Sequence, residues 1–284
     1  VFDWFESDVD FISYFTPTVS WKKGSITKKK NVNKKIKPIF FEGLIENSSI
    51  NWFELQYNEI GAVSSNTFDT SLGRPKLKTK RISKKKSNID LTKKSILLNP
   101  RSTSIIRSMR FEDMYNALIK IINDLDCNIY VHSKNIKNED VNFISKQSKI
   151  DNRINVIHAK TLEEFLLDAY DTTIAISVDS AIVHFREGIQ KPCIGIYGQF
   201  TTECRTKYYK HTHTFDIKSD CPHMPCFVHV KKNDEICEFQ RELMESGEYD
   251  KRWYYTPPCF TGVYNNTLID QLVLNMKDYI NKNI

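Results

Sequence analysis

The stretch "ISVDSAIVHFREGIQKPCIGIYGQF", Ile176–Phe200, decides how the rest of the chain is read. It holds two short apolar runs separated by an acid, a hydroxyl and a histidine (Asp179, Ser180, His184), and it is closed by Pro192 and Gly198. Short apolar runs bounded by Pro and Gly read as buried strands, and "SAIVHFREGIQ" between them has the length of a connecting helix. Strand, helix, strand in that order requires parallel pairing, because a parallel connection must cross back over the sheet.

The same alternation extends upstream. "SILLNP" reads as a strand closed by Pro100, and "RFEDMYNALIKIINDL" carries Phe111, Met114, Tyr115, Leu118, Ile121, Ile122 and Leu125 at helical spacing. "CNIYVHS", "INVIHA" and "TIAISV" read as strands, and "NEDVNFISKQS" and "TLEEFLLDAY" as helices. The last of these opens on a capping box, with Thr161 as N-cap and Glu164 at N3. The expectation is an α/β doubly wound parallel sheet over residues 95–284, with ligands at the carboxyl ends of its strands. Residues 1–94 carry shorter apolar segments, "PIFFEGLI" and "INWFELQY", and read as a smaller or incomplete α/β domain.

An apolar content of 40% in 284 residues supports a real core in one large or two ordinary domains. No apolar run approaches the roughly 18 residues that span a bilayer. The opening "VFDWFESDVDF" lacks the basic start and apolar centre of a signal peptide, so the expectation is a cytoplasmic protein. The net charge of +6 is uneven: residues 1–95 carry +8 and the remainder −2. The excess lies in two basic runs, 21–37 and 76–94, which read either as solvated linkers or as contacts to nucleic acid or an anionic membrane surface.

By the strand-end rule, Asp179, Ser180 and Ala181 lie on the ligand-binding edge, where the next helix begins. A helix N-terminus presents unpaired N–H groups and partial positive charge, which suits a diphosphate. Asp179 or Ser180 reads equally well as a plain N-cap. His184 lies one turn further, on their face and off the apolar stripe of Ile182, Val183 and Phe185. A second polar loop, "NPRSTSIIRSMRF" (Asn99–Phe111), supplies Arg101, Ser102, Thr103, Ser104, Arg107 and Arg110, a plausible phosphate clamp because guanidinium groups bind phosphate bidentately. No Gly-rich phosphate loop is present, which argues against a P-loop NTPase, an ordinary kinase or an NAD dehydrogenase.

Seven cysteines without a secretory signal read as reduced thiols. Cys221, Cys226, Cys237 and Cys259 have a loose C-x4-C-x10-C-x21-C spacing, open to a structural zinc site with His223 and His229 as alternative ligands, or to ordinary thiols. The segment "EFQRELMESGEYDKRWYYTPP" reads as a solvated helix-turn or as a flap over an acceptor.

Taken together, residues 95–275 resemble glycosyltransferase family 9, the ADP-heptose:lipopolysaccharide heptosyltransferases. The matching residues are Pro100, Arg107 at the place of a family lysine, Thr161, Leu162 and Glu164, Asp179-Ser180-Ala181 with His184, Pro192, and "IGIYG" ending at Gly198. The resemblance implies a GT-B fold, two Rossmann-like domains across a cleft, with a nucleotide-diphosphate sugar donor held by the C-terminal one. It implies metal-independent, inverting transfer to a hydroxyl of a glycan or lipid-linked acceptor by a cytoplasmic enzyme peripheral to the inner membrane face, with no cofactor required. Asp179, Ser180, Ala181 and His184, with Ser102, Thr103 and Arg107 from the first loop, would bind the donor. Arg107 and His184 would be the catalytic pair, and the helix from Thr161 would border the base pocket.

The chain departs from the family pattern at Arg186 and Glu187, where small residues are expected, at Ala181 in place of glycine, and at Met109 in place of tryptophan. These departures bear on sugar specificity. The family's base, an Asp in a glycine-bearing N-terminal loop, has no counterpart in residues 1–95, and Asp3, Asp8 and Asp10 align with nothing. Two other readings stay open: transfer to modified bases of nucleic acid, and a non-catalytic GT-B binding module.

Overall fold

From Lys94 onward the chain alternates strand and helix as its periodicity requires. The structure is a computed structural model that describes residues 75, 77, 86–102, 105–123, 125–136, 138–198, 200–219, 221, 224, 238–247, 257–260 and 267–284. The basic run 21–37, the acids Asp3, Asp8 and Asp10, and most of the run 76–94 before Lys86 lie outside these residues.

The order is β1 (Lys94–Asn99), α1 (Phe111–Ile122), β2 (Cys127–His132), α2 (Asn138–Gln147), β3 (Ile154–Ile157), α3 (Leu162–Asp171), β4 (Ile174–Val178), α4 (Ala181–Gly188) and β5 (Cys193–Tyr197). Then follow α5 (Thr202–Thr206), β6 (Thr212–Asp216), α6 (Glu238–Ser246) and α7 (Leu268–Asn283). The six strands form one sheet in the order β3-β2-β1-β4-β5-β6, and every pairing is parallel. The α/β doubly wound expectation is met, and the order reverses between β1 and β4, which makes their carboxyl ends the topological switch point. Among the described residues no helix is long and apolar enough to cross a membrane.

The inner strands β1, β2, β4 and β5 are buried on both faces, so their side chains divide by alternation. Ile96 and Leu98 of β1, Ile129 and Val131 of β2, and Ile174, Ile176 and Val178 of β4 join Met114 and Leu118 of α1 and Leu272 and Met276 of α7 in one core layer. Leu97, Tyr130 and Ala175, from the same strands, face the other way and pack with Leu167 of α3 and Val183 of α4. Leu77 and Ile89, both 5% exposed, join this second layer. A Cβ at Gly188 would lie 2.7 Å from the Leu77 side chain, so glycine permits the close approach that the Leu77 N–H bond to the Gly188 carbonyl requires.

The Thr161 cap forms: its hydroxyl accepts from the Glu164 amide at 3.2 Å. The Glu164 carboxylate returns to the Lys160 amide at 2.7 Å, one residue before the position a capping box uses.

Arg186 and Glu187 have a different role from the one their departure from the family pattern suggested. Both are buried, and both point away from the strand-end edge. The Arg186 guanidinium donates to the carbonyls of Ala169, Thr172, Thr173 and Pro192 at 2.5–3.0 Å, tying the end of α3 to the starts of β4 and β5. Burial lowers its pKa to about 10, so it stays charged, compensated by carbonyl dipoles and the negative end of α3. Glu187 accepts from three successive amides, those of Lys210, His211 and Thr212, at 2.8–3.0 Å, and so holds the chain entering β6. Neither side chain is placed to choose a sugar. Met109, likewise fully buried, belongs to the core.

Candidate functional site

The site begins with a buried amide. Asn99, the last residue of β1, donates from Nδ2 to Ser177 Oγ at 2.8 Å and to Ser180 Oγ at 2.9 Å, and its Oδ1 accepts from Asn135 in the turn after β2. These bonds fasten together the carboxyl ends of β1, β2 and β4. Ser180 is also the N-cap of α4, accepting from the Ile182 amide at 3.2 Å. The cap reading therefore belongs to Ser180, and Asp179 is released for another purpose.

Asp179 is 4% exposed, and three basic side chains surround its carboxylate. Arg107 Nη1 lies 3.3 Å from Oδ2, Arg205 Nη2 3.7 Å from Oδ2, and His184 Nε2 3.9 Å from Oδ1. Burial pushes the carboxyl pKa up, but the charges of Arg205 and Arg107, with His184, outweigh it and hold Asp179 below its ordinary value. The Arg205 guanidinium rests over the Phe200 ring, 4.6 Å from its centroid. Among the described residues no donor hydrogen-bonds Asp179 Oδ1, and the buried Tyr197 hydroxyl at the end of β5 also lacks a partner. Such orphaned polar atoms are costly in a folded core, and each calls for an explanation such as a bound ligand or water.

His184 sits on α4 one turn from Ser180, as its spacing indicated. Its Nδ1 lies 2.6 Å from the Tyr209 hydroxyl, with the two rings crossing edge to face at 87°. About a third of the side chain (36%) reaches the surface, while dense packing elsewhere lowers the imidazole pKa to about 4 against the opposing pull of Asp179. The ring is neutral at pH 7.

The first loop divides differently from its sequence reading. Arg101 is buried in an ion pair with Asp140 of α2 at 2.6 Å, and the other Asp140 oxygen accepts from the Phe111 amide at 3.1 Å, which sets the start of α1. Arg110 pairs with Asp113. Both arginines serve the start of α1, so the clamp of three guanidinium groups is not formed; of the three, Arg107 reaches Asp179. Ser102 is half-buried with its amide on Ser108 Oγ, Ala181 is exposed as the first residue of α4, and Thr103 and Ser104 lie outside the described residues.

Sequence reasoning missed Arg205, Asn99 and Tyr209. Asn99 had a legible signal, a carboxamide closing an apolar strand at the switch point. Arg205 and Tyr209 lie in "TTECRTKYYK", where basic and aromatic residues carry no periodicity, so nothing local marks them.

Arg107, Asp179, Gly198, Phe200 and Phe260 line one small depression at this edge. A Cβ at Gly198 would lie 2.7 Å from the Phe260 ring, which is itself fully buried. Gly198→Ala is therefore expected to destabilise the protein by about 1–3 kcal/mol through overpacking, and chemical denaturation showing an unchanged midpoint would contradict this close fit.

Cys221 and Cys259 pack on the core layer beside α1, and Cys226 and Cys237 lie outside the described residues. Among the described residues no three His, Cys, Asp or Glu side chains group as metal ligands.

A sequence model described as glycosyltransferase family 9 (heptosyltransferase) matches residues 52–237, more than half of the chain. No curated protein matches by sequence. Among solved structures, the Escherichia coli heptosyltransferase WaaC with ADP is 16% identical, over 46% of this chain and 40% of its own, at a TM-score of 0.39. The glycosyl transferase family 9 protein from Veillonella parvula is 12% identical, over 69% and 48%, at 0.41. The Escherichia coli ADP-heptose lps heptosyltransferase II is 11% identical, over 45% and 40%, at 0.38. The alignments span less than half the length of each of these structures. On the family match, which takes in both strand-end loops and the Asp179–Gly198 unit, the chain belongs to glycosyltransferase family 9.

Proposed function

We propose that the chain is a glycosyltransferase that binds a nucleotide-diphosphate sugar at the carboxyl ends of β1 and β4 and transfers the sugar to a hydroxyl acceptor. The observation that carries this is the buried Asp179 carboxylate held against Arg107 and Arg205 at the topological switch point of a parallel sheet. With His184 neutral, the cluster carries one more positive than negative charge, which favours a departing diphosphate. Arg107, partly exposed, is the group placed to move from Asp179 to phosphate as charge develops there. Asp179 Oδ1, an acceptor without a donor among the described residues, suits a sugar hydroxyl.

In this reading two guanidinium groups supply the positive charge that leaving-group stabilisation needs, and transfer is inverting and metal-independent. Residues 95–284 form the donor side and residues 1–94 the acceptor side, and the acceptor is a glycan or lipid-linked glycan met from the cytoplasm. These finer points follow the family pattern and belong to the same proposal.

Calorimetric titration with ADP-, UDP- and GDP-sugars tests it. One of the three is expected to bind, with slow hydrolysis or transfer on adding acceptor. Failure of all three to bind would reduce the chain to a non-catalytic member of its family.

A further inference from the structure

Tyr209 and His184 pose a question of proton placement that the family match does not address. His184 is one turn into α4, and Glu187 follows it by three residues on the same helix. Glu187 accepts from the amides of Lys210, His211 and Thr212, so the helix that presents His184 also anchors the loop that presents Tyr209. The Tyr209 amide closes this loop further by donating to the Thr206 carbonyl at 2.9 Å. The tyrosine hydroxyl is thereby fixed 2.6 Å from Nδ1. On the other side of the ring, Nε2 faces Asp179 Oδ1 at 3.9 Å, an oxygen with no hydrogen-bond donor among the described residues.

A neutral imidazole carries one proton, and two arrangements compete. If Nδ1 held it, Nδ1–H would donate to the tyrosine oxygen, the Tyr209 O–H would have no acceptor among the described residues, and the Nε2 lone pair would face a carboxylate. If Nε2 holds it, the Tyr209 O–H donates to Nδ1 and the Nε2–H points toward the carboxylate. The second arrangement gives the Tyr209 hydroxyl an acceptor and turns an N–H, rather than a lone pair, toward the carboxylate. It also agrees with burial and the nearby Glu187 charge, which raise the Tyr209 pKa and keep that hydroxyl protonated.

We infer that Tyr209 is a positioning residue that locks His184 in the Nε2–H tautomer, so that His184 offers the site a hydrogen-bond donor and cannot act as a general base at neutral pH. The nearest use for that donor is a hydroxyl oxygen of the bound sugar that bridges Nε2–H and the Asp179 carboxylate from the side. This use rests on the function proposed above; the tautomer itself does not.

The test is a long-range proton–nitrogen correlation spectrum of the full chain labelled at histidine nitrogen, at pH 7. The expected result for His184 is a protonated-type Nε2 and an unprotonated-type Nδ1, with Tyr209→Phe giving averaged shifts while the melting curve stays close to wild type. A protonated Nδ1 in the wild type, or a Tyr209→Phe spectrum identical to wild type, would overturn the assignment. If Tyr209→Phe does not fold, the wild-type spectrum alone still decides the tautomer.

For the donor role, His184→Gln, whose amide nitrogen falls near the Nε2 position, is expected to keep at least tenfold more kcat/KM for the nucleotide sugar than His184→Met. Equal losses in the two would remove that role. A wild-type protein that binds no nucleotide sugar yet shows the Nε2–H tautomer would refute the proposed function and leave the positioning role of Tyr209 standing.

Discussion

Replacing Arg186 with methionine is expected to lower the unfolding free energy by about 3–5 kcal/mol, because several buried carbonyls lose their charge-assisted donor at once. The reason is local and severe. The guanidinium is fully buried and satisfies carbonyls at the end of α3 and at the entries to β4 and β5. Methionine fills a similar volume but donates nothing, so carbonyls of Thr172, Thr173 and Pro192 lose charge-assisted bonds in a place water does not reach. In a domain of this size that loss corresponds to a drop in melting temperature of roughly 10 °C. Arg186→Lys is expected to recover only part of it, since an ammonium cannot span the same fork of acceptors. A methionine variant melting within 2 °C of wild type would show that the carbonyls find other partners.

The second large effect is chemical. Arg107→Met is expected to reduce kcat/KM for the nucleotide-diphosphate sugar about 10²–10³-fold, the range for deleting one electrostatic stabiliser of a transition state, with the melting temperature nearly unchanged. The fold is spared because Arg107 is partly exposed and because Arg205 still balances the Asp179 carboxylate when Arg107 is gone. Arg107→Lys keeps the charge at the place where the family has lysine, and is expected to stay within about tenfold of wild type. Steady-state kinetics beside a thermal melt separates these outcomes. Wild-type turnover in Arg107→Met would remove Arg107 from the site.

The comparison of these two arginines bears on what a sequence can reveal. Arg186 stood out as a departure from the family pattern, in a segment aligned with the donor site, yet its partners are backbone carbonyls 6 to 17 residues away at the opposite edge of the sheet. Arg101, Arg107 and Arg110 share one loop and one chemistry, and their sorting was decided elsewhere. Asp140, 39 positions downstream, took Arg101 into the core, and Asp113 took Arg110 within the first turn of α1. Similar physics hid β6: "THTFD" is short, polar and at the sheet edge, so it has neither a continuous apolar run nor a clear alternation.

What the sequence by itself determined is the order of elements from Lys94 to Tyr197, their parallel pairing, and the placing of Asp179, Ser180 and His184 where β4 gives way to α4. Those features follow from short-range regularities: apolar runs of strand length, helical spacing, a cap, and Pro and Gly at the ends. Only the tertiary structure decided which charges meet. It set Arg205, from a five-residue helix with no signal of its own, beside Asp179, placed Tyr209 on the far nitrogen of His184, and turned Arg186 and Glu187 inward. An ionic group's role depends on the partners brought within a few ångströms of it in a low-dielectric interior, and those partners are chosen by how distant elements pack.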